Sequence, residues 1–186
     1  MVKRRKTIII SIVCMLIVAI FLLCYMNEDT IQVHKEWLLS GEEISKVEII
    51  GLGQDLDIII KESDGLGNRV TIEGNIPESF AKKIEELEPQ KDSMSINFVG
   101  SSGVSIAKIA KDTLQITICL ENDELLRKLT VKSNKGDVNL TVPSGFRSKY
   151  QLSTNYGDIN ALEEYVDTDR EVSIELGSGN ITISDK

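Results

Sequence analysis

Leu129-Thr-Val-Lys-Ser-Asn-Lys-Gly136-Asp-Val-Asn-Leu140 is written again as Tyr150-Gln-Leu-Ser-Thr-Asn-Tyr-Gly157-Asp-Ile-Asn-Ala161, and again as Val172-Ser-Ile-Glu-Leu-Gly-Ser-Gly179-Asn-Ile-Thr-Ile183. With the central glycines aligned, the apolar residues fall into columns: Leu129, Tyr150 and Val172; Val131, Leu152 and Ile174; Val138, Ile159 and Ile181; Leu140, Ala161 and Ile183. Gly157 follows Gly136 by 21 residues, and Gly179 follows Gly157 by 22. A period of about 20 residues marks a solenoid, in which each copy buries its apolar edge only by stacking on its neighbours. The expected fold class is therefore all-β: a β-solenoid, parallel β-helix-like, with repeats of about 20 residues.

Upstream, Val47-Glu-Ile-Ile-Gly-Leu-Gly-Gln-Asp-Leu-Asp-Ile-Ile-Ile60 reads as a degenerate copy, with Gly51 and Gly53 in the turn and Leu56, Ile58 and Ile60 facing inward. Asp64 to Asn68 is a turn by composition, and Arg69 to Glu73 alternates as a strand. Ser93 to Val99 and Leu114 to Leu120 read as further strands, separated by a flexible Gly100-Ser-Ser-Gly103 turn. Pro77 to Leu87 breaks the β pattern. Phe80, Ile84 and Leu87 share one helical stripe between Pro77 and Pro89, which predicts one short inserted helix at 78–88. Such a stripe needs a surface, so the helix is expected to lie over an open end or flank of the solenoid, with a lid or partner-docking role as the alternative.

The N-terminus points to a membrane. Lys3, Arg4, Arg5 and Lys6 precede Thr7 to Met26, a stretch without charge. Twenty residues at helical rise cover about 30 Å, the thickness of a bilayer core. The positive-inside rule puts residues 1–6 in the cytoplasm and the rest outside. A cleaved signal peptide or a lipidated Cys24 are the alternatives. The run ends without a small-x-small triplet, and Leu23 is too large to precede a lipidated cysteine. The expected organisation is a cytoplasmic tail 1–6, a transmembrane helix 7–26, a juxtamembrane stalk or cap 27–45, and an extracellular domain 46–186. The expected localisation is the cell membrane, single-pass.

The formal charge of −8, of which residues 1–26 contribute +4, leaves −12 on the rest. An acidic exterior excludes nucleic acid as a partner, because phosphates demand a basic face. Cys14 and Cys24 fall in the apolar stretch and Cys119 is alone beyond it, so no disulfide forms within the outer domain. Cys119 reads as a packed strand residue.

The later copies share an apolar-x-[ST]-x-x-Gly-[Asp/Asn]-[Val/Ile]-x-apolar pattern, and Val142-Pro-Ser-Gly145 connects the first to the next. This resembles the bacterial "putative adhesin" family, a domain of unknown function with LiaG-like members in cell-envelope stress operons. The likeness covers 46–186 loosely and 129–183 well. The third copy departs, with Leu176 where Ser133 and Thr154 stand and Asn180 for Asp137 and Asp158. The resemblance implies a β-solenoid at the cell surface and no activity.

The repeat turn column is the candidate edge: Gly136 and Asp137, Gly157 and Asp158, Gly179 and Asn180, stacked about 4.8 Å apart. A ladder of oxygens could hold calcium. The sequence lacks the dense nine-residue Gly/Asp pattern of calcium-binding solenoids, and Gly-Asp is first of all turn chemistry: glycine takes positive φ and the Asx side chain bonds its own backbone. No metal and no cofactor are expected. His34 is the single histidine and lies outside the solenoid, so no Ser/His/Asp or Cys/His set can form within it. No carboxylate pair stands out among 29 acidic residues, and no catalysis is expected. Two functions remain: an accessory or regulatory module bound to an envelope or membrane protein, or an adhesin bound to wall polymer or surface glycan. An exposed row of Tyr150, Tyr156 and Tyr165 would favour glycan. Of these, Tyr156 is the expected exposed contact, beside Lys135 and Ser178 in the turn column.

Overall fold

The computed structural model describes residues 11, 13–18, 30–41, 43–99, 112–165 and 167–186. The expected tail 1–6, most of the expected span 7–26 and the Gly100–Gly103 turn lie outside these. Residues 13–18 are helical and exposed, and no helix among the described residues is long and apolar enough to cross a membrane.

From Thr30 on, the described residues are mostly β, in two largely parallel sheets with one short α-helix. In chain order the strands are β1 (Thr30–Leu39), β2 (Lys46–Leu52), β3 (Leu56–Glu62), β4 (Asn68–Pro77), β5 (Ser93–Asn97), β6 (Leu114–Leu120), β7 (Lys128–Ser133), β8 (Val138–Val142), β9 (Lys149–Thr154), β10 (Ile159–Asn160), β11 (Glu171–Leu176) and β12 (Ile181–Asp185). One sheet runs β1-β4-β6-β3-β8-β12-β10 and the other β5-β2-β7-β11-β9. β1, β4 and β6 pair antiparallel, and the remaining pairs are parallel.

The apolar columns account for this pairing. Val47 and Ile49, Leu129 and Val131, and Val172 and Ile174 stand in register on one sheet. Leu56 and Ile58, Val138 and Leu140, and Ile181 and Ile183 do so on the other. All twelve are buried in a single core cluster. β-Branched residues suit this pleated, close-packed setting, and each buried side chain contributes about 1.5–3 kcal/mol.

The copies stack out of sequence order, which corrects the sequential ladder read from the repeats. The strand pairs are layered as β5/β6, β2/β3, β7/β8, β11/β12 and β9/β10. The third clear copy thus lies between the first and the second, and the second stands at the end of the stack. The period identifies the copies but carries no information on which neighbour each one pairs with. The end copy is also the poorest: β10 is two residues long, and Ala161 is exposed rather than in the core column.

At the opposite end the core is covered, with β5 left as the edge strand of the second sheet among the described residues. Segment 27–45, expected as a stalk or cap, supplies β1, which pairs along its whole length with β4. Helix α1 (Glu78–Glu85) follows Pro77 and buries Ala81 and Ile84 against β1 and β4. Phe80 packs on Phe98 with ring centroids 5.2 Å apart, and the Trp37 indole donates to the Leu87 carbonyl at 2.9 Å. Cys119 is buried on β6, between Arg69 of β4 and Lys61 of β3.

Candidate functional site

Three features arise where the strands turn and where the stack ends. The first is the turn edge. Asp137 N–H donates to Asp55 Oδ1 at 2.8 Å, Asn180 N–H to Asp137 Oδ1 at 2.7 Å, and Asp158 N–H to Asn180 Oδ1 at 2.9 Å. In return, Leu56 N–H donates to the Asp137 carbonyl at 2.8 Å, Val138 N–H to that of Asn180 at 2.9 Å, and Ile181 N–H to that of Asp158 at 2.9 Å. The side chains of Asp55, Asp137 and Asn180 therefore each tie their turn to the next layer. This corrects the expectation that the Asx groups bond their own backbone.

The glycines permit this approach. A Cβ on Gly179 would fall under 3.0 Å from the Gly136 carbonyl, and one on Gly157 equally close to that of Gly179. Sequence reading missed Asp55, the ladder's first member. It placed the turn at Gly51 and Gly53: Gly53 does lie in the turn between β2 and β3, whereas Gly51 sits on a β-bulge where the register slips between Ile50 and Leu52. The glycine position of that layer is taken by Gln54, whose amide donates to the Asp112 and Asn75 carbonyls. The usable signal was Asx directly before an aliphatic residue, shared by Asp55-Leu56, Asp137-Val138, Asp158-Ile159 and Asn180-Ile181. With their Oδ1 atoms accepting backbone N–H, Asp55, Asp137 and Asn180 serve the backbone first. Among the described residues no group of three or more His, Cys, Asp or Glu could hold a metal ion.

The second feature is Arg170, at the opposite edge, which sequence reading also missed. Its guanidinium donates to the carbonyls of Leu126 (3.2 Å), Arg147 (3.2 Å) and Asp123 (2.7 Å), and to the Asp123 carboxylate at 3.3 Å. It lies 4.1 Å from the centroid of the Phe146 ring. One side chain thus joins three successive layers from within. Burial holds its pKa below the ordinary arginine value, opposed by Asp123. A cleft of about 670 Å³ beside it is lined by both signs of charge, including Asp123, Glu124, Arg127, Arg147 and Asp169.

The third feature is the uncovered end formed by β9 and β10. Tyr150 and Leu152, whose in-register neighbours on β11 are fully buried, are only partly covered here, and Ile159 is 46% exposed. Among the described residues the buried Tyr150 hydroxyl has no hydrogen-bond partner, and burial pushes the phenol's pKa up. Tyr156 is 79% exposed in the turn after β9. Tyr165, whose N–H donates to the Ser148 carbonyl, lies at the other end of the strand. The three tyrosines therefore form no row.

The turn-column residues come together as a ladder in the order Asp55, Asp137, Asn180, Asp158. His34 stands apart on β1, 3.8 Å from the Glu73 carboxylate.

No family model and no curated protein matches the chain. Among solved structures it is similar to a "putative cell adhesion protein" from Clostridium sporogenes, at 13% identity over 84% of this chain and 100% of that one, with a TM-score of 0.35. It is similar to a "putative adhesin" from Bacteroides fragilis at 12% identity, covering 86% and 98%, with a TM-score of 0.32. A "putative adhesin" from Parabacteroides merdae gives 10% identity, 82% and 55% coverage and a TM-score of 0.35, so the chain spans about half of that protein. These neighbours are bacterial adhesin-like proteins, the group whose repeat pattern the sequence resembles. At these scores the likeness adds nothing to the reading of the site.

Proposed function

We propose that the chain is a membrane-anchored, extracytoplasmic interaction module, non-catalytic and accessory or regulatory in the cell envelope, built as a short β-solenoid. The observation that carries this reading is the asymmetry of the stack. Among the described residues β1, β4 and α1 cover the core at one end, while the other end leaves core-column residues partly exposed beside the edge strand β9. An uncapped end of a layered fold is a surface that a partner completes.

Reach favours a partner near the bilayer. With β1 beginning at Thr30, only residues 27–29 separate the expected anchor from the first strand, about 10 Å of extended chain. The domain then sits against the membrane, beneath the outer surface of any thick wall. A wall-polymer or glycan adhesin is the second reading. It would be favoured by a tyrosine row, which the positions of Tyr150, Tyr156 and Tyr165 do not supply.

The test is cross-linking of the full-length protein in living cells, followed by identification of what is attached. A few discrete membrane proteins, lost when residues 1–26 are exchanged for an unrelated anchor, support the module. Attachment mainly to wall polymer, retained by a fragment spanning 30–186, contradicts it.

A further inference from the structure

The open end of the stack carries the parts of an unfinished layer. Within the ladder, each Asx side chain accepts the N–H of the following layer, and the residue after each Asx donates to that layer's carbonyl. Asp158 and Ile159 end the series. Among the described residues nothing donates to the Asp158 carboxylate, and by the same alternation the Ile159 N–H faces outward.

The edge strand beside them is in the same state. Lys149 N–H donates to the Arg170 carbonyl at 3.0 Å and Asn155 N–H to that of Leu176 at 3.3 Å, both toward β11. In a parallel ladder alternate residues face alternate sides, so the N–H and C=O groups of Tyr150, Leu152 and Thr154 point away from β11. No strand lies beyond β9 among the described residues. The half-covered side chains of Tyr150 and Leu152 lie on the same edge.

We propose that this end takes an extended, cationic segment of a partner protein, added as a further parallel strand beside β9. The inference rests on the interaction-module reading and names the class of partner. Backbone groups on such a strand would meet those of Tyr150, Leu152 and Thr154, and its apolar side chains would cover the open core, as in strand addition generally. Charge selects the occupant. Residues 147–165 carry Asp158, Glu163 and Glu164 against Arg147 and Lys149, and all three carboxylates lie beyond β9, where residues 155–165 hold no Lys or Arg. A second copy meeting this end would set those carboxylates against their equivalents, whereas a cationic segment would neutralise them. Among the described residues β5 is the other edge of the sheet that β9 ends, so head-to-tail pairing of β9 with β5 of a second copy is the competing occupant, and it would appear as protection that rises with protein concentration alone.

The full chain in detergent would be titrated with a synthetic peptide of alternating Lys and Val, with amide hydrogen exchange read residue by residue. The expected result is at least about tenfold slower exchange at Tyr150, Leu152 and Thr154. A version N-methylated at alternate residues, which cannot pair as a strand, should bind at least about tenfold more weakly, as should an alternating Glu and Val peptide. Asp158→Ala should weaken binding severalfold. Leu152→Pro, which removes one outward N–H at an edge position, should abolish it while the circular dichroism spectrum is kept. Equal binding of the N-methylated peptide, protection at β1 instead of β9, or no protection up to about 1 mM peptide overturns the proposal. Protection of β9 that rises with protein concentration alone also overturns it, in favour of a second copy. If the peptide fails while in-cell cross-linking still captures discrete membrane proteins, strand addition falls and the interaction-module reading stands.

Discussion

The backbone N–H of Asn180 donates to the carboxylate of Asp137 at 2.7 Å, although the two residues are 43 apart in sequence. The repeat spacing alone would have set Asp137 beside Asp158. The bond shows how the ladder is wired: through side-chain oxygen to the backbone of the next layer, in an order that the chain does not follow.

Removing that acceptor should destabilise the fold. Asp137→Ala also strands the Asn180 amide, which reaches Asp137 Oδ2 at 3.4 Å. The expected cost is about 1–2 kcal/mol, at the lower end because the edge is exposed. Asp137→Asn keeps an acceptor and should cost well under about 1 kcal/mol. Asp158→Ala, at the end of the ladder, should be close to neutral. Urea denaturation of the three variants gives the comparison.

Two glycines of positive φ should respond very differently to alanine. Gly179 has φ 128°, and an added Cβ would collide with the Gly136 backbone. Gly65 has φ 88° and open space around it. Gly65→Ala should cost about 1 kcal/mol for the backbone conformation alone. Gly179→Ala should cost about 3 kcal/mol or more, because two layers must separate. Thermal unfolding of both variants decides this.

Arg170 should be the most sensitive polar residue. Arg170→Met keeps much of the volume but leaves the Leu126 carbonyl without its side-chain donor and takes the shorter donor from the Asp123 and Arg147 carbonyls, which keep only the Leu126 N–H at 3.3 Å and the Thr168 hydroxyl at 3.5 Å. The expected loss is about 2–4 kcal/mol. Arg170→Lys should rescue little of it, since a single ammonium cannot span the same acceptors. The readout is the urea midpoint of each variant.

The repeats made the copies and their inward columns legible, and the stripe of Phe80, Ile84 and Leu87 between Pro77 and Pro89 did the same for α1. Val131, Val138, Ile174 and Ile181 are core residues because alternation on a strand admits only one buried face. The layering was hidden because equivalent copies have interchangeable apolar columns. Any of them could neighbour any other, and only contacts outside the pattern choose among the orders. Arg170 is one such contact, and nothing around it in sequence marks an arginine as buried. Asp55 was hidden for another reason: its layer carries Gln54 where the other layers carry glycine, so an alignment on glycine shifts it out of the column.

A pH dependence follows from Glu48 on the outer face of the second sheet. Lys46, 2.7 Å away, holds its carboxyl below the ordinary 4.5 through a hydrogen bond, with Ser95 adding a second. A carboxylate with a depressed folded pKa contributes stability that is present above the unfolded value, near 4.5, and is lost as pH falls through the lower folded value. Lys46→Met should therefore raise the Glu48 pKa and flatten the stability profile as pH falls below 4.5. NMR titration of the Glu48 side chain, alongside urea unfolding at each pH, checks both parts.

The layer order is open to a direct chemical measurement. Lys132 stands in register with Glu175, which stands in register with Ser153. Adjacent parallel strands are about 4.8 Å apart, within disulfide reach, whereas strands two apart are about 10 Å apart and beyond it. In a background with Cys14, Cys24 and Cys119 replaced by Ser, the pair Lys132→Cys and Glu175→Cys should oxidise readily to a disulfide, and the pair Lys132→Cys and Ser153→Cys should not. The opposite outcome, a disulfide between 132 and 153 and none between 132 and 175, would mean that the copies stack in sequence order and would contradict the fold on which the open end depends.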